Sequence, residues 1–216
     1  MDNLNNTTLN ITEIFYSLQG EAKEVGIPTV FVRLTGCPLR CNYCDTAYAF
    51  KGNNPLSIQH ILDEIAQYNT QYVCVTGGEP MAQSNCLKLL DALIDNDYKV
   101  SMETSGSIDI APVNSKVSIV MDIKTPSSTE EHQNRYENLS ILKNKDQLKF
   151  VIASRLDFDW CTKILENHEV ESEVLFSPVY ESLKPVELAD WILEKKLNVR
   201  LQVQLHKILW GDQKGK

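Results

Sequence analysis

Three cysteines, Cys37, Cys41 and Cys44, fall in the pattern C-x3-C-x2-C inside the run Gly36-Cys37-Pro38-Leu39-Arg40-Cys41-Asn42-Tyr43-Cys44-Asp45-Thr46. Thiolates this close in sequence can all point at one centre about the size of a cubane cluster, because the few residues between them make the backbone wrap around it. Iron–sulfur clusters are held by cysteine thiolates, and a four-iron cluster normally takes four. A loop that supplies three leaves one iron open to a small molecule. The alternatives are a structural zinc site, which wants four Cys or His ligands, and a set of unliganded thiols. His60, the next imidazole in the chain, lies in an apparent helix, and no second cysteine pair follows at zinc-ribbon spacing. The spacing therefore favours the cluster.

The same three cysteines, with the aromatic Tyr43 just before the last, resemble the signature of the radical S-adenosylmethionine (SAM) superfamily. Within it, the run from Glu13 to Thr46, with Gln204-Leu205-His206 and Leu209-Trp210-Gly211 near the end, is similar to the 7-carboxy-7-deazaguanine synthase family over nearly the whole chain. The resemblance implies a [4Fe-4S] cluster on Cys37, Cys41 and Cys44 whose open iron takes the amino and carboxylate groups of SAM. An electron from the cluster then cleaves SAM to a 5′-deoxyadenosyl radical. It also implies a small pterin substrate, 6-carboxy-5,6,7,8-tetrahydropterin, rearranged with loss of ammonia to a 7-deazapurine on the route to queuosine. A Mg2+ ion at Thr46, a flavodoxin or ferredoxin electron donor and a homodimer complete what the resemblance implies.

Further residues take roles from the resemblance and from their own chemistry. Thr76-Gly77-Gly78-Glu79-Pro80 ends a strand in two glycines, which let backbone groups approach a ligand without an intervening Cβ. The resemblance assigns Gly78 and Glu79 to SAM and Thr76 to the substrate. Tyr43 and Asp45 join the cofactor set, as do Ser105 and the segment Asp122-Ile123-Lys124, where many family members carry Ser-Pro-Lys instead. Glu103 and Ser105 could each meet the SAM or the substrate edge. Leu18-Gln19-Gly20 matches the stretch that contacts the pterin, whose alternating donors and acceptors suit backbone groups and an amide. Arg33 interrupts an apolar strand, and a buried guanidinium needs an anion; that anion is either a structural carboxylate or, by resemblance, the substrate's own, held by two parallel hydrogen bonds. Ser177-Pro178 ends a late strand and is expected to touch the adenosine. No residue is assigned as catalytic, His206 included.

The rest of the chain must position this loop. Its 216 residues, 43% hydrophobic, can bury one sizeable core, and a single domain is expected over 1–216. A net charge of −8 argues against a nucleic-acid surface. No apolar run approaches the roughly 18 to 20 residues of a membrane span, and residues 1–10 are polar and expected to be flexible, so a cytoplasmic enzyme is expected. Cys74, Cys86 and Cys161 are scattered among apolar residues and read as core fillers.

Strand signals rich in β-branched and aromatic residues fall at Thr29–Leu34, Tyr72–Thr76, Tyr98–Glu103, Val117–Ile123, Leu148–Ile152, Glu173–Ser177 and Val199–Leu205. A shorter one precedes the polar turn at Gln19-Gly20-Glu21. Helical periodicity follows Ser57 to about Tyr68 and recurs at 84–95, 132–142, 157–167 and 185–196. The alternation implies a mostly parallel α/β sheet. The segment 105–116 is too short and broken for a crossover helix, and the chain falls below the roughly 250 residues of a complete (β/α)8 barrel. The expectation is an open, partial (β/α) barrel of the radical SAM type with shortened crossovers, and a site at the C-terminal ends of its strands.

Overall fold

The computed structural model describes residues 4–215. Nine strands form one sheet: β1 (Thr8–Leu18), β2 (Pro28–Leu34), β3 (Pro55–Ser57), β4 (Tyr72–Gly77), β5 (Lys99–Thr104), β6 (Ser118–Ile123), β7 (Gln147–Ile152), β8 (Glu173–Pro178) and β9 (Arg200–Leu201). The order is β3-β1-β2-β4-β5-β6-β7-β8-β9. From β2 to β9 every pairing is parallel, while β1 runs antiparallel to both β2 and β3. The two edge strands do not meet, which gives the expected open partial barrel.

Helices α1 (Ile58–Ile65), α2 (Cys86–Asp95), α3 (Arg155–Asn167), α4 (Pro185–Lys195) and α5 (Leu205–Trp210), with five short 3-10 turns, complete the described elements. Ser57 caps α1 by accepting a hydrogen bond from the His60 N–H at 3.2 Å. Because side chains alternate along a strand, one face of the sheet carries Val30, Val32 and Leu34, then Val73 and Val75, Val100 and Met102, Met121 and Ile123, and Phe150, all buried in the core beneath the helices. The residues between them, Arg33, Thr76, Glu103, Asp122 and Lys149, are turned to the opposite face. This inner side of the partial barrel is therefore polar, and it is where chemistry has to occur.

Between β5 and β6 the chain has no helix, as expected. Asn138 ties that segment down instead, its amide donating to Gly106 O (2.9 Å) and Ile108 O (2.8 Å). Three expectations change. The helix expected at 132–142 is two short 3-10 turns, Glu131–Gln133 and Tyr136–Ser140. Asn134 breaks it with an extended backbone, its side chain exchanging two hydrogen bonds with Lys124; Asn and Asp compete with helices in this way. The strand expected to run to Leu205 stops at Leu201, and α5 begins where the Leu205 N–H is drawn to Gly20 O at 2.9 Å. The loose start expected over 1–10 reaches less far, since Thr8, Leu9 and Asn10 pair with β3.

Candidate active site

The cysteine loop leaves the C-terminal end of β2 through Gly36, whose φ of +98° suits only glycine. The loop from β4 is pressed against it: Gly78 N–H donates to Leu34 O at 3.1 Å, and Glu79 N–H to Gly36 O at 2.8 Å. A Cβ on Gly78 would lie 2.1 Å from Gly36 O and 2.9 Å from the Cys37 Cβ. The second glycine of Gly77-Gly78 is thus required by a backbone that touches the cysteine loop.

Cys37, Cys41 and Cys44 are free thiols, each partly exposed. Burial pushes all three upward in pKa, Cys41 to about 11; Cys44 and Cys37 raise Cys41 further and Cys44 raises Cys37, while the Lys124 ammonium acts the other way on every one. Three soft donors on one loop, with the partly buried Lys124 beside them to offset their charge, fit a thiolate-ligated cluster, whose binding would release their protons. Arg40 holds the loop's turn, donating to Cys37 O (2.7 Å) and Leu39 O (2.6 Å). The Tyr43 hydroxyl is 3.1 Å from Thr125 Oγ1 and donates to Val151 O at 3.3 Å, which anchors the loop to the ends of β6 and β7.

Glu79 is fully buried, and its carboxylate is consumed within the protein. It accepts from Thr104 Oγ1 (2.8 Å), the Ser105 N–H (2.7 Å), Ser105 Oγ (2.5 Å) and the Met81 N–H (3.0 Å). The side chains of Glu79 and Ser105, expected at the cofactor, thus brace the tips of β4 and β5 against each other. Ile123 is likewise wholly within the core, so only its backbone faces the site.

Below the loop, the expected substrate residues come together. Glu103 accepts from Thr76 Oγ1 (3.0 Å) and from the Gln19 amide (3.3 Å). Arg33, opposite Thr76 in register, donates Nε–H to Glu13 at 2.8 Å, and the Tyr48 hydroxyl donates to the same oxygen at 2.6 Å. The structural carboxylate considered for Arg33 is therefore present. Asp122 pairs with Lys124 at 3.2 Å, and its other oxygen is buried without a partner among the described residues. Thr46 Oγ1 donates to Asp45 at 2.6 Å. Asp45 is exposed at the surface; desolvation by its surroundings would raise its pKa, but this hydrogen bond and the cations of Lys149, Lys207 and Arg33 bring it below the ordinary value.

Leu18 ends β1, and the turn after it folds under the barrel. Gly20 admits no side chain, since a Cβ there would stand 2.1 Å from His206 Nδ1. Glu21 forms an ion pair with Lys149 of β7 and accepts from the Gln204 amide at 2.8 Å. The Gln202 amide closes on both backbone groups of Ala22, at 2.6 and 3.3 Å. Desolvation opposes both charges of the Glu21–Lys149 pair, yet their attraction prevails: the carboxyl is lowered and the ammonium raised. His206, given no role from sequence, packs against the pterin-matched turn.

Residues 31–139 match the model of the radical SAM superfamily. The chain is 39% identical over 213 residues to the 7-carboxy-7-deazaguanine synthase of Chlorobaculum tepidum, covering 96% of this chain and 97% of the relative. It is 40% identical over 219 residues to that of Koribacter versatilis, covering 94% and 97%. The chain belongs to the 7-carboxy-7-deazaguanine synthase family. Among solved structures, QueE from Escherichia coli superposes with a TM-score of 0.78 at 22% identity, over 94% of this chain and 96% of that one. SuiB from Streptococcus suis bound to S-adenosylmethionine superposes with a TM-score of 0.53 at 13% identity, over 78% of this chain and 45% of SuiB. At such identities the likeness is one of fold. Membership in the radical SAM superfamily implies a [4Fe-4S] cluster and SAM, with a small-molecule substrate in this family.

Glu13, Tyr48, Glu21 and Lys149, given no role from sequence, pair with Arg33 or with each other beside the expected site residues. Lys149 carried a signal of the same kind as Arg33, a charged residue at an inward position of an otherwise apolar strand. Glu13, Glu21 and Tyr48 stand where nothing local separates them from surface residues. No helix among the described residues is long and apolar enough to cross a membrane.

Proposed function

We propose that this enzyme converts 6-carboxy-5,6,7,8-tetrahydropterin to 7-carboxy-7-deazaguanine with loss of ammonia, in queuosine and related 7-deazapurine synthesis. The observation that carries the reading is the meeting of Gln19, Thr76 and Glu103 on the inner barrel face beside Arg33, in a chain that matches the family over nearly its whole length. When bound, the cluster and SAM supply a 5′-deoxyadenosyl radical that takes a hydrogen atom from the substrate.

The chain's own residues position that substrate. Glu103, already receiving Gln19 and Thr76, supplies carboxylate oxygens for the donor edge of the pterin, and the turn at Leu18-Gln19-Gly20 adds backbone groups and an amide. Glu13 fixes the Arg33 guanidinium through Nε–H alone, so its terminal N–H groups are left to pair with the substrate carboxylate. Gly78 brings the β4 backbone to the SAM amino group, and Asp122 with Lys124 borders the cofactor opposite Cys41. No three His, Cys, Asp or Glu side chains among the described residues form a single-ion site. A Mg2+ at Thr46 would therefore take most of its oxygens from substrate and water, which that hard ion accepts. A flavodoxin or ferredoxin donor, a homodimer and a cytoplasmic setting belong to the same proposal.

The test is an anaerobic assay of the cluster-loaded enzyme with reductant, SAM, Mg2+ and 6-carboxytetrahydropterin, following pterin and SAM by mass spectrometry. The expected result is 7-carboxy-7-deazaguanine without proportionate consumption of SAM. Cleavage of SAM with the pterin unchanged would discard this substrate.

A further inference from the structure

A cavity of about 420 Å3 opens at the N-terminal ends of β4, β5 and β6, on the face opposite the cysteine loop. Exposed Asp97 and Lys99 stand at its rim, and Gln19, Thr29, Ser101 and Ser118 line it. Gln19 is 3% exposed. The same amide that lines this cavity donates to Glu103 and accepts from the Glu21 N–H at 3.2 Å. One side chain therefore touches both the cavity and the substrate-binding carboxylate.

The inner barrel face runs from the cavity towards Glu103. Ser101 and Glu103 are successive inward residues of β5, and the fully buried Cys74 is the register partner of Ser101 on the neighbouring strand. Across the barrel, Ser17 is the register partner of Thr29, and directly opposed residues of an antiparallel pair share a face. Its hydroxyl oxygen is buried without a partner among the described residues. A buried hydroxyl lacking a partner calls for a small polar molecule beside it. The column of small donor–acceptor groups suits a molecule that both donates and accepts hydrogen bonds and is no larger than water.

We propose that this lumen is the exit for the ammonia expelled by the reaction, which passes Gln19 and leaves at the N-terminal face. The inference rests on the reaction proposed above. Thr76 and Glu103 each lie two residues deeper along the chain than Gly78 and Ser105, so the substrate sits beneath the cofactor, and ammonia formed there has the cofactor above it and the serine-lined space below. Neutral ammonia moves by exchanging hydrogen bonds with the Gln19 amide and the Ser101 and Thr29 hydroxyls, and it takes up a proton where the cavity meets solvent. No bond other than that N–H forms along the way.

Single-turnover kinetics of the cluster-loaded enzyme test this, with ammonia in solution read continuously, total deazapurine by acid quench and free deazapurine by rapid filtration. In the wild type, ammonia reaches solution before the deazapurine is released. In Ser101→Leu and Ser118→Leu, whose side chains enter the cavity, ammonia release slows roughly tenfold or more to the rate of deazapurine release, because it then waits for the site to open. Deazapurine formation on quench is unchanged. Joint release of ammonia and deazapurine by the wild type overturns the proposal and requires no variant to fold; so does unaltered ammonia release in both variants. A wild type that makes no deazapurine at all refutes the parent reaction instead, an outcome distinct from the other two.

Discussion

Replacing Glu79 by alanine separates a structural brace from a cofactor ligand. Its carboxylate takes four internal hydrogen bonds, from Thr104 Oγ1, Ser105 Oγ and the backbone N–H groups of Ser105 and Met81. The two hydroxyls can turn to other acceptors, but the two N–H groups cannot. Each buried donor left unpaired costs about 1–3 kcal/mol, so Glu79→Ala should lose roughly 4 kcal/mol. At about 2–4 °C per kcal/mol for a chain of this size, the melting temperature should fall by roughly 8–16 °C. Glu79→Gln keeps one acceptor oxygen but turns an NH2 toward donors, and should fall between. Ser105→Ala should cost about 1 kcal/mol alone and less in the Glu79→Ala background, since contacting residues do not add. The assay is urea unfolding of the cluster-free protein beside SAM binding by the loaded enzyme. A Glu79→Ala protein within about 1 kcal/mol of wild type that has lost SAM binding would refute the brace and make the carboxylate a cofactor ligand.

Further perturbations probe neighbouring parts. Gly78→Ala puts a Cβ into Gly36 O and against Cys37, so iron incorporated per chain on reconstitution should fall severalfold while far-ultraviolet circular dichroism is kept; normal iron content would contradict the packing. Cys41→Ala should abolish both the cluster absorbance and SAM cleavage. Arg33→Lys keeps a charge but loses the planar fork, and should raise KM for the pterin while sparing uncoupled SAM cleavage. Lys149→Met takes the cation from the largely buried Glu21 and leaves it only the Gln204 hydrogen bond, at a cost of about 3–5 kcal/mol in denaturant unfolding. Because the Glu21 carboxyl is lowered from its ordinary 4.5, its stabilisation is present above that pH and lost as pH falls through the folded value. Without Lys149, desolvation is opposed only by Gln204 and His206, so acid unfolding of the variant should begin at higher pH.

What could be read from sequence is what sequence neighbours decide. The cysteine loop is local, and so is the strand-to-glycine transition at Thr76-Gly77-Gly78. Arg33 announced itself as a charge in an apolar strand, although its partner Glu13 lies on a different strand and no periodicity identifies it. The ion pair of Glu21 with Lys149 spans 128 positions, and neither residue's neighbours hint at the other. Strand β3 has three residues and exists because Thr8 to Asn10 pair with it. The helix expected at 132–142 failed for a different reason: Asn134 and Asn138 spend their amides on the backbones of the loops after β6 and β5, and those distant bonds outweigh helical propensity.

The clasp of Gly20 by His206, with Gln202 and Gln204 on Ala22 and Glu21, also orders events in time. Gln202 and Ala22 are separated by 180 positions, so a nascent chain has its cysteine loop outside the ribosome long before the pocket-forming turn can find its support. Domains gain structure as they are synthesised, but here the turn at Gly20 to Ala22 stays without these partners until residues 202–206 have been added.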